Sequence, residues 1–268
     1  MLSRPSWLDP YRFDLTRLEL RPRGWPAALD GFTILHLSDL HTRQPGPVEA
    51  FVKQLGRQVG QPDLLVVTGD FAESVAAVGP CLEALGEVTA RYGRFAVLGN
   101  NDLAPRALRE ALATQLPAAG LRVLRDESVR IDTGHGAFWL GGILYYFVRR
   151  TIQTFVFPVA RAFEGALPGE PRVLLAHSPD AIVEAAEEGV CLMLSGHTHG
   201  GQICLPGGIP VHSNLYRFRF RYLRGLHRRG ATLLYVNRGL GLSPPQIRAW
   251  CRPEAAYLTL RSESSKTT

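Results

Sequence analysis

The chain has 268 residues, 46% of them hydrophobic and 20% charged, with a formal net charge of +6. This balance supports one large buried core and excludes a disordered chain, and four scattered cysteines with no CxxC pair exclude a disulfide framework and a thiolate metal site. The basic excess is almost all arginine, only Lys53 and Lys266 being lysine, which either reflects a compositional bias or serves phosphate through the planar guanidinium fork.

The first twenty residues alternate apolar and charged positions and hold neither a signal-peptide core nor a spanning helix, so a cytoplasmic protein is expected. FTILHLSDLH (32–41) is a β-rich run that stops at Ser38-Asp39, and a helix-like stretch follows over 47–60. PDLLVVTGDF (62–71) stops at Asp70, ahead of a helix over 74–91. GRFAVLGNND (93–102) stops at Gly99-Asn100, ahead of a helix over 105–119 and short strands near 121–131 and 137–144. PRVLLAHSPD (171–180) stops at His177, with a helix over 179–188, and VCLMLSGHTHGG (190–201) stops at Ser195-Gly196. Further short strands are expected at 231–237 and 255–260. Apolar runs of this length read as strands buried on both faces, and Pro47, Pro105 and Pro179 sit near helix starts, where a missing N–H does little harm. The strand–helix alternation predicts an α/β fold. No linker or repeat is visible, so one domain over 1–262, with its core at about 32–241 and a disordered tail at 263–268, is expected.

Five strands end in residues able to bind a cation: Asp39 with His41, Asp70, Asn100, His177, and His197 with His199. One such residue at a strand end is ordinarily a cap or turn residue, but five strands ending this way call for another reason. The i, i+2 spacing of Asp39/His41 and of His197/His199 would put each pair on one face of an extended segment. Mixed imidazole and carboxylate donors suit manganese, zinc or iron better than calcium or magnesium.

The blocks DLH (39–41), GD (69–70), GNND (99–102), His177 and GHTH (196–199) resemble, in order and spacing, the signature of the calcineurin-like metallophosphoesterases. The extended LSGHTHGGQ and the later LYVNRGLG are similar to the branch containing YaeI/YkuE-type phosphodiesterases and the UDP-diacylglucosamine pyrophosphatases. The resemblance implies a four-layer αββα sandwich, two mixed sheets flanked by helices, with two divalent metal ions at one edge. Manganese is the expected metal, with zinc and iron as alternatives. By position it implies that Asp39, His41 and His199 hold one ion, that Asn100, His177 and His197 hold the other, and that Asp70 bridges both. Two ions in such a site acidify a water and clamp phosphoryl oxygens. No protein nucleophile is needed, and neither GxSxG nor a P-loop is present.

Asn101 stands where many family members carry a histidine thought to act with the neighbouring aspartate, here Asp102, at the leaving group. A carboxamide donates a hydrogen bond but not a proton, and general-acid help is worth about 10²–10⁴-fold. Asn101, Asp102 and Asp70 are the expected catalytic residues, and Asn101 points to diester or pyrophosphate cleavage, where the leaving group is good. It could equally be a turn residue, with Asp102 only bracing the loop.

Two stretches bear on substrate. GILYYFVRRTIQTFVFPVARAF (142–163), with Arg149 and Arg150, is either a lipid-accepting or membrane-touching flap or a core strand and helix; it lacks the acidic pair that many relatives carry near 141–145. YRFRFRYLRGLHRR (216–229) alternates aromatics with Arg217, Arg219 and Arg221, which at strand period gives an aromatic and a basic face. That face fits a diphosphate, a membrane surface or a nucleic acid, or is simply a charged edge strand. The expectation is a monomeric phosphohydrolase, peripheral on the inner face of a membrane or free in the cytoplasm. Its substrate would be a small or lipid-linked phosphodiester or pyrophosphate such as UDP-2,3-diacylglucosamine. A nucleotide or nucleic-acid phosphodiesterase is the rival within the class, and a non-catalytic binding module that retains the fold is the rival outside it.

Overall fold

The computed structural model describes residues 7–145 and 157–263. Its first half runs β1 (Asp14–Leu20), β2 (Phe32–Leu37), α1 (Pro47–Gln58), β3 (Leu64–Val67), α2 (Val75–Gly86), β4 (Arg94–Ala96), α3 (Asn100–Leu103), α4 (Arg106–Ala118) and β5 (Arg122–Val123). Then come β6 (Glu127–Asp132), β7 (Ala137–Gly142), α5 (Val159–Ala162), β8 (Arg172–Leu175), α6 (Ile182–Glu187) and β9 (Leu192–Ser195). The chain closes with β10 (Cys204–Leu205), β11 (Ile209–Pro210), β12 (Gly225–Arg229), β13 (Thr232–Val236) and β14 (Glu254–Leu260).

Two six-stranded mixed sheets form, in the orders β1-β14-β2-β3-β4-β5 and β12-β13-β9-β8-β7-β6, with β10-β11 as a separate ribbon. Strand periodicity explains how they stack. Ile34, Leu64, Val66 and Val97 of the first sheet share one core with Leu140, Val173, Leu175, Leu192 and Leu194 of the second. Their neighbours Leu35, Leu37, Leu65 and Val67 face the other way, onto Val52 and Leu55 of α1, Val78 and Leu85 of α2, and Leu112 and Leu116 of α4. On the far side Leu174, Met193 and Leu234 meet Val159, Ala162, Ile182 and Ala185. Strands largely apolar on both faces, with successive residues entering different cores, therefore build the expected four layers.

Several sequence expectations change. β1, where the sequence predicts no element, pairs in parallel with β14 and so belongs to the first sheet. The stretch near 121–131 splits into β5 and β6, which lie in different sheets. Residues 216–224 form turns and bends, not a strand. The aromatic and basic faces therefore do not exist: Tyr222 and Leu223 are consecutively buried, while Tyr216 and Phe220 are exposed. Of the 142–163 segment, Phe157, Val159, Ala162 and Phe163 are core, and residues 146–156, including Arg149 and Arg150, lie outside the described residues, as does the tail from 264. No helix among the described residues is long and apolar enough to cross a membrane.

Candidate metal centre

The loops after β2 and β3 run side by side, with Asp39 N–H donating to the Gly69 carbonyl (2.9 Å), His41 N–H to Asp70 (3.0 Å) and Thr42 N–H to Phe71 (3.0 Å). The segment after β13 laces onto the same place: Leu240 N–H donates to Ser38 (3.0 Å) and Gly241 N–H to Asp39 (2.6 Å). The loop after β9 joins through His197 N–H, 3.0 Å from Asp39 Oδ2. Close approach demands glycine. A Cβ on Gly99 would lie 2.2 Å from Asp70 Oδ1, and one on Gly196 would lie 1.8 Å from Ser38 Oγ.

Seven side chains converge here. His199 Nε2 lies 3.5 Å from Asp39 Oδ1 and 3.1 Å from His41 Nε2, and His41 Nε2 lies 3.5 Å from Asp70 Oδ2. The same Asp70 Oδ2 lies 3.5 Å from His177 Nε2, which is 3.0 Å from Asn100 Oδ1 and 3.1 Å from His197 Nδ1. One Asp70 oxygen thus faces both sets. The pairs do not converge by strand alternation. Asp39 (φ 49°), His41 (46°), Asp70 (55°), His197 (70°) and His199 (50°) are all left-handed, so each chain turns sharply as it delivers its donor. Left-handed non-glycine residues cost roughly 1–2 kcal/mol each and gather where a site requires them.

The chemistry of the donors fits metal ions. His177 Nδ1 is 2.6 Å from the Thr68 carbonyl oxygen, and His41 Nδ1 faces a Glu73 carboxylate oxygen. Both partners can only accept, so each Nδ1 carries a proton and Nε2 is the ring atom left to face a cation. Donors about 2.1 Å from a shared cation lie roughly 3.0–3.4 Å apart in tetrahedral or octahedral geometry, close to the separations found. Asp39, His41 and His199, and likewise Asp39, Asp70 and His177, are buried clusters whose donor atoms lie within 4.8 Å of one another. Burial, reinforced by neighbouring His177, lowers the His197 pKa to about 3; burial and His41 hold His199 well below its ordinary value. Both rings are therefore neutral, as ligands must be. Burial opposes charge on His177, but the Asp70 carboxylate outweighs it and lifts the ring to about 9, a measure of how strongly the centre attracts positive charge. Burial would raise Asp70, yet His177, His41 and His197 together hold it well below the carboxylate range.

Asn101 and Asp102 stand around Asp70. Asn101 donates twice to it, from its backbone N–H to Oδ1 (2.9 Å) and from Nδ2 to Oδ2 (2.8 Å). Asp102 is fully buried, and its carboxylate accepts the backbone N–H groups of Asp70 (2.7 Å), Phe71 (2.8 Å) and Gly99 (2.9 Å). Burial and the charge on Asp70 push it up to about 7, against those amides. Arg217 is tied to Glu184 (2.8 Å), and Arg219 sits on an exposed turn with positive φ; neither is drawn into the donor cluster.

Three contributors escaped sequence reasoning. Glu73 orients His41, and its acidic character three residues past Asp70 was the only clue. The Tyr145 ring lies against His177 and His197, with centroids 5.5 and 5.3 Å away. Arg248 is buried, donating to the carbonyls of Arg238 (2.8 Å), Gly239 (2.9 Å), Gly241 (2.9 Å) and His199 (3.3 Å); a lone arginine in an arginine-rich chain gives no signal.

Residues 32–201 match the family model described as calcineurin-like phosphoesterase. The chain is 30% identical to the uncharacterized metallophosphoesterase YkuE of Bacillus subtilis (strain 168), covering 96% of this chain and 88% of that protein. It is 30% identical to the UDP-2,3-diacylglucosamine pyrophosphatase LpxG of Chlamydia muridarum (90% and 89% covered) and 31% identical to the phosphodiesterase YaeI of Escherichia coli K12 (85% and 82%). Among solved structures, TT1561 of Thermus thermophilus shares the fold at 14% identity and a TM-score of 0.51, over 78% of this chain and 90% of that one.

Proposed function

Because the chain belongs to the calcineurin-like phosphoesterase family, hydrolases of phosphoric esters and anhydrides, we propose that it cleaves a phosphodiester or pyrophosphate bond with two divalent cations, manganese foremost. The observation that carries this reading is the single oxygen of Asp70 facing two buried donor sets at once. Asp39, His41 and His199 would hold one cation, and Asn100, His177 and His197 the other, with Asp70 between them. When bound, the cations supply Lewis acidity, making a water nucleophilic at neutral pH and offsetting charge on the phosphoryl oxygens.

The protein's own part is to hold these donors fixed and out of water, with His197 and His199 neutral and Asp70 anionic. Glu73 and the Thr68 carbonyl fix two ring tautomers. Asp102 pins the β3 and β4 loops through three amides and acts as a positioning residue. Asn101 holds Asp70 by both oxygens and offers no proton to a departing oxygen. A phosphate leaving group departs without one; a serine alkoxide does not. The names of LpxG and YaeI support an anhydride or diester, and LpxG supports a lipid-linked nucleotide as substrate. The nucleic-acid alternative loses its main support with the arginine strip folded into turns and Arg217 paired to Glu184.

Purified protein given Mn²⁺ should hydrolyse bis(p-nitrophenyl) phosphate faster than p-nitrophenyl phosphate and lose both activities to a chelator. Faster monoester turnover would sink the reading of Asn101; absence of both activities would sink the hydrolase itself.

Position 101 can be tested alone. Asn101→His should raise the monoester-to-diester ratio of kcat/KM by about tenfold or more, since an imidazole restores the acid a poor leaving group requires. An unchanged ratio would assign Asn101 to loop geometry only.

A further inference from the structure

Among the described residues, two clefts border the candidate metal centre. The smaller, about 220 Å³, is lined by His199 and Asn214 and has no arginine or lysine in its wall. The larger, about 440 Å³, is lined by His41 and by Arg43, Tyr11, Leu40, Leu242 and Gln246. Its size falls within the roughly 300–1,000 Å³ of small-molecule sites, and of the two only this one carries a permanent cation beside a donor of the centre.

The placement of Arg43 is built, not incidental. Glu73 divides its carboxylate, one oxygen accepting from His41 Nδ1 and the other 3.7 Å from Arg43 Nη2. That second contact is too long for a strong charge-assisted hydrogen bond, so it orients the guanidinium without saturating it. Gln246 lines the same cleft, and with its carboxamide turned so that the oxygen meets the guanidinium, that oxygen lies 2.6 Å from Nη1 and 3.2 Å from Nη2. The Arg43 side chain remains 40% exposed. Leu242 gives a narrow apolar wall with Leu40 fully buried behind it, and the half-exposed Tyr11 offers an aromatic surface.

A cationic fork next to the reacting centre, an apolar wall and an open aromatic ring describe a seat for an organic phosphate with a flat body. We propose that this groove receives the leaving group of the reaction, a nucleoside monophosphate whose phosphate is held by Arg43 and whose base lies along Tyr11 and Leu242. The proposal rests on the pyrophosphate form of the hydrolase reading and sharpens it. In that hydrolysis the water oxygen forms the new P–O bond, and the water's protons pass to the phosphate product and solvent. The bridging P–O bond breaks, leaving its electron pair on the departing monophosphate. The charge that develops there meets Arg43, which is why Asn101 can stand where an acid would otherwise be required.

The test is calorimetric binding of UMP, with AMP and inorganic phosphate in parallel, to the Mn²⁺-loaded full chain, its Arg43→Met variant and its Arg43→Lys variant. UMP should bind more tightly than phosphate. Arg43→Met should weaken UMP by about tenfold or more, the loss expected for one charge-assisted pair to phosphate, and weaken inorganic phosphate much less. Arg43→Lys should recover part of the loss, lacking the bidentate fork. Equal losses for UMP and phosphate would mean that Arg43 acts only through Glu73 and His41, and would overturn the proposal, as would UMP binding no tighter than phosphate. Binding is read without turnover, so an inactive protein that still binds UMP through Arg43 would refute the hydrolase reading and not the subsite.

Discussion

Replacing Asp70 by asparagine should lower diester hydrolysis by about 10³-fold or more, at least about 4 kcal/mol of transition-state stabilisation, with the fold intact. The side chain is buried, and one of its oxygens faces His41 and His177 at 3.5 Å. Asparagine keeps the volume but removes the negative charge that faces both His41 and His177, and its NH₂ must face either a cation or a donor of Asn101. Metal content per chain should fall with activity, while circular dichroism and the melting temperature stay near wild type, because Asp102 still holds the loop through Asp70 N–H, Phe71 N–H and Gly99 N–H. A variant retaining a tenth of wild-type turnover would show that Asp70 is not shared between two ions.

The second large effect is structural. Arg248→Met should destabilise the protein by about 3–5 kcal/mol, the range seen when a buried charge network is broken. For a chain of this size that is a fall of roughly 6–20 °C in Tm. Arg248 is 1% exposed, and among the described residues its guanidinium meets backbone carbonyls, the His199 ring at 3.3 Å and Cys251. Burial pulls its pKa below the usual arginine range. Carbonyl dipoles from 238–241 and His199, together with Cys251 and the Asp39 carboxylate, carry the compensation, and methionine would orphan the carbonyls. Since Leu240 and Gly241 bind the Asp39 loop, metal affinity should fall as well. Arg248→Lys should rescue only part of the stability, because an ammonium cannot reach carbonyls spread around a planar fork. A melting temperature within a degree or two of wild type, measured by calorimetry, would refute this role.

The centre was legible in the chain because its donors sit where apolar runs stop, and strand ends are local features. Asp39, Asp70, Asn100, His177 and His197 each mark one such stop. How they converge was not legible. An i, i+2 spacing implies a shared face only in extended backbone, and the left-handed turns at Asp39, His41, His197 and His199 come from loops laced to one another across the sheets. The arginine–aromatic strip misled for a related reason. It fits the strand template residue by residue, but a strand also needs a partner, and pairing with β13 begins only at Gly225. β1 is the converse, a half-exposed alternation whose partner, β14, lies some 240 residues on. Glu73 and Arg248 bind groups on other loops, so no local pattern announces them.

The first sheet is ordered so that β14 lies between β1 and β2. During synthesis, β1 and β2 leave the ribosome more than two hundred residues before the strand that joins them. Until then β2 presents an open edge, and the 238–241 segment that secures Asp39 is made only shortly before β14. Closing such distant pairings is slow and leaves unpaired edges exposed while it is pending. The nascent chain thus carries the DLH loop early but can bring its donors together only after the 238–241 segment and β14 have emerged.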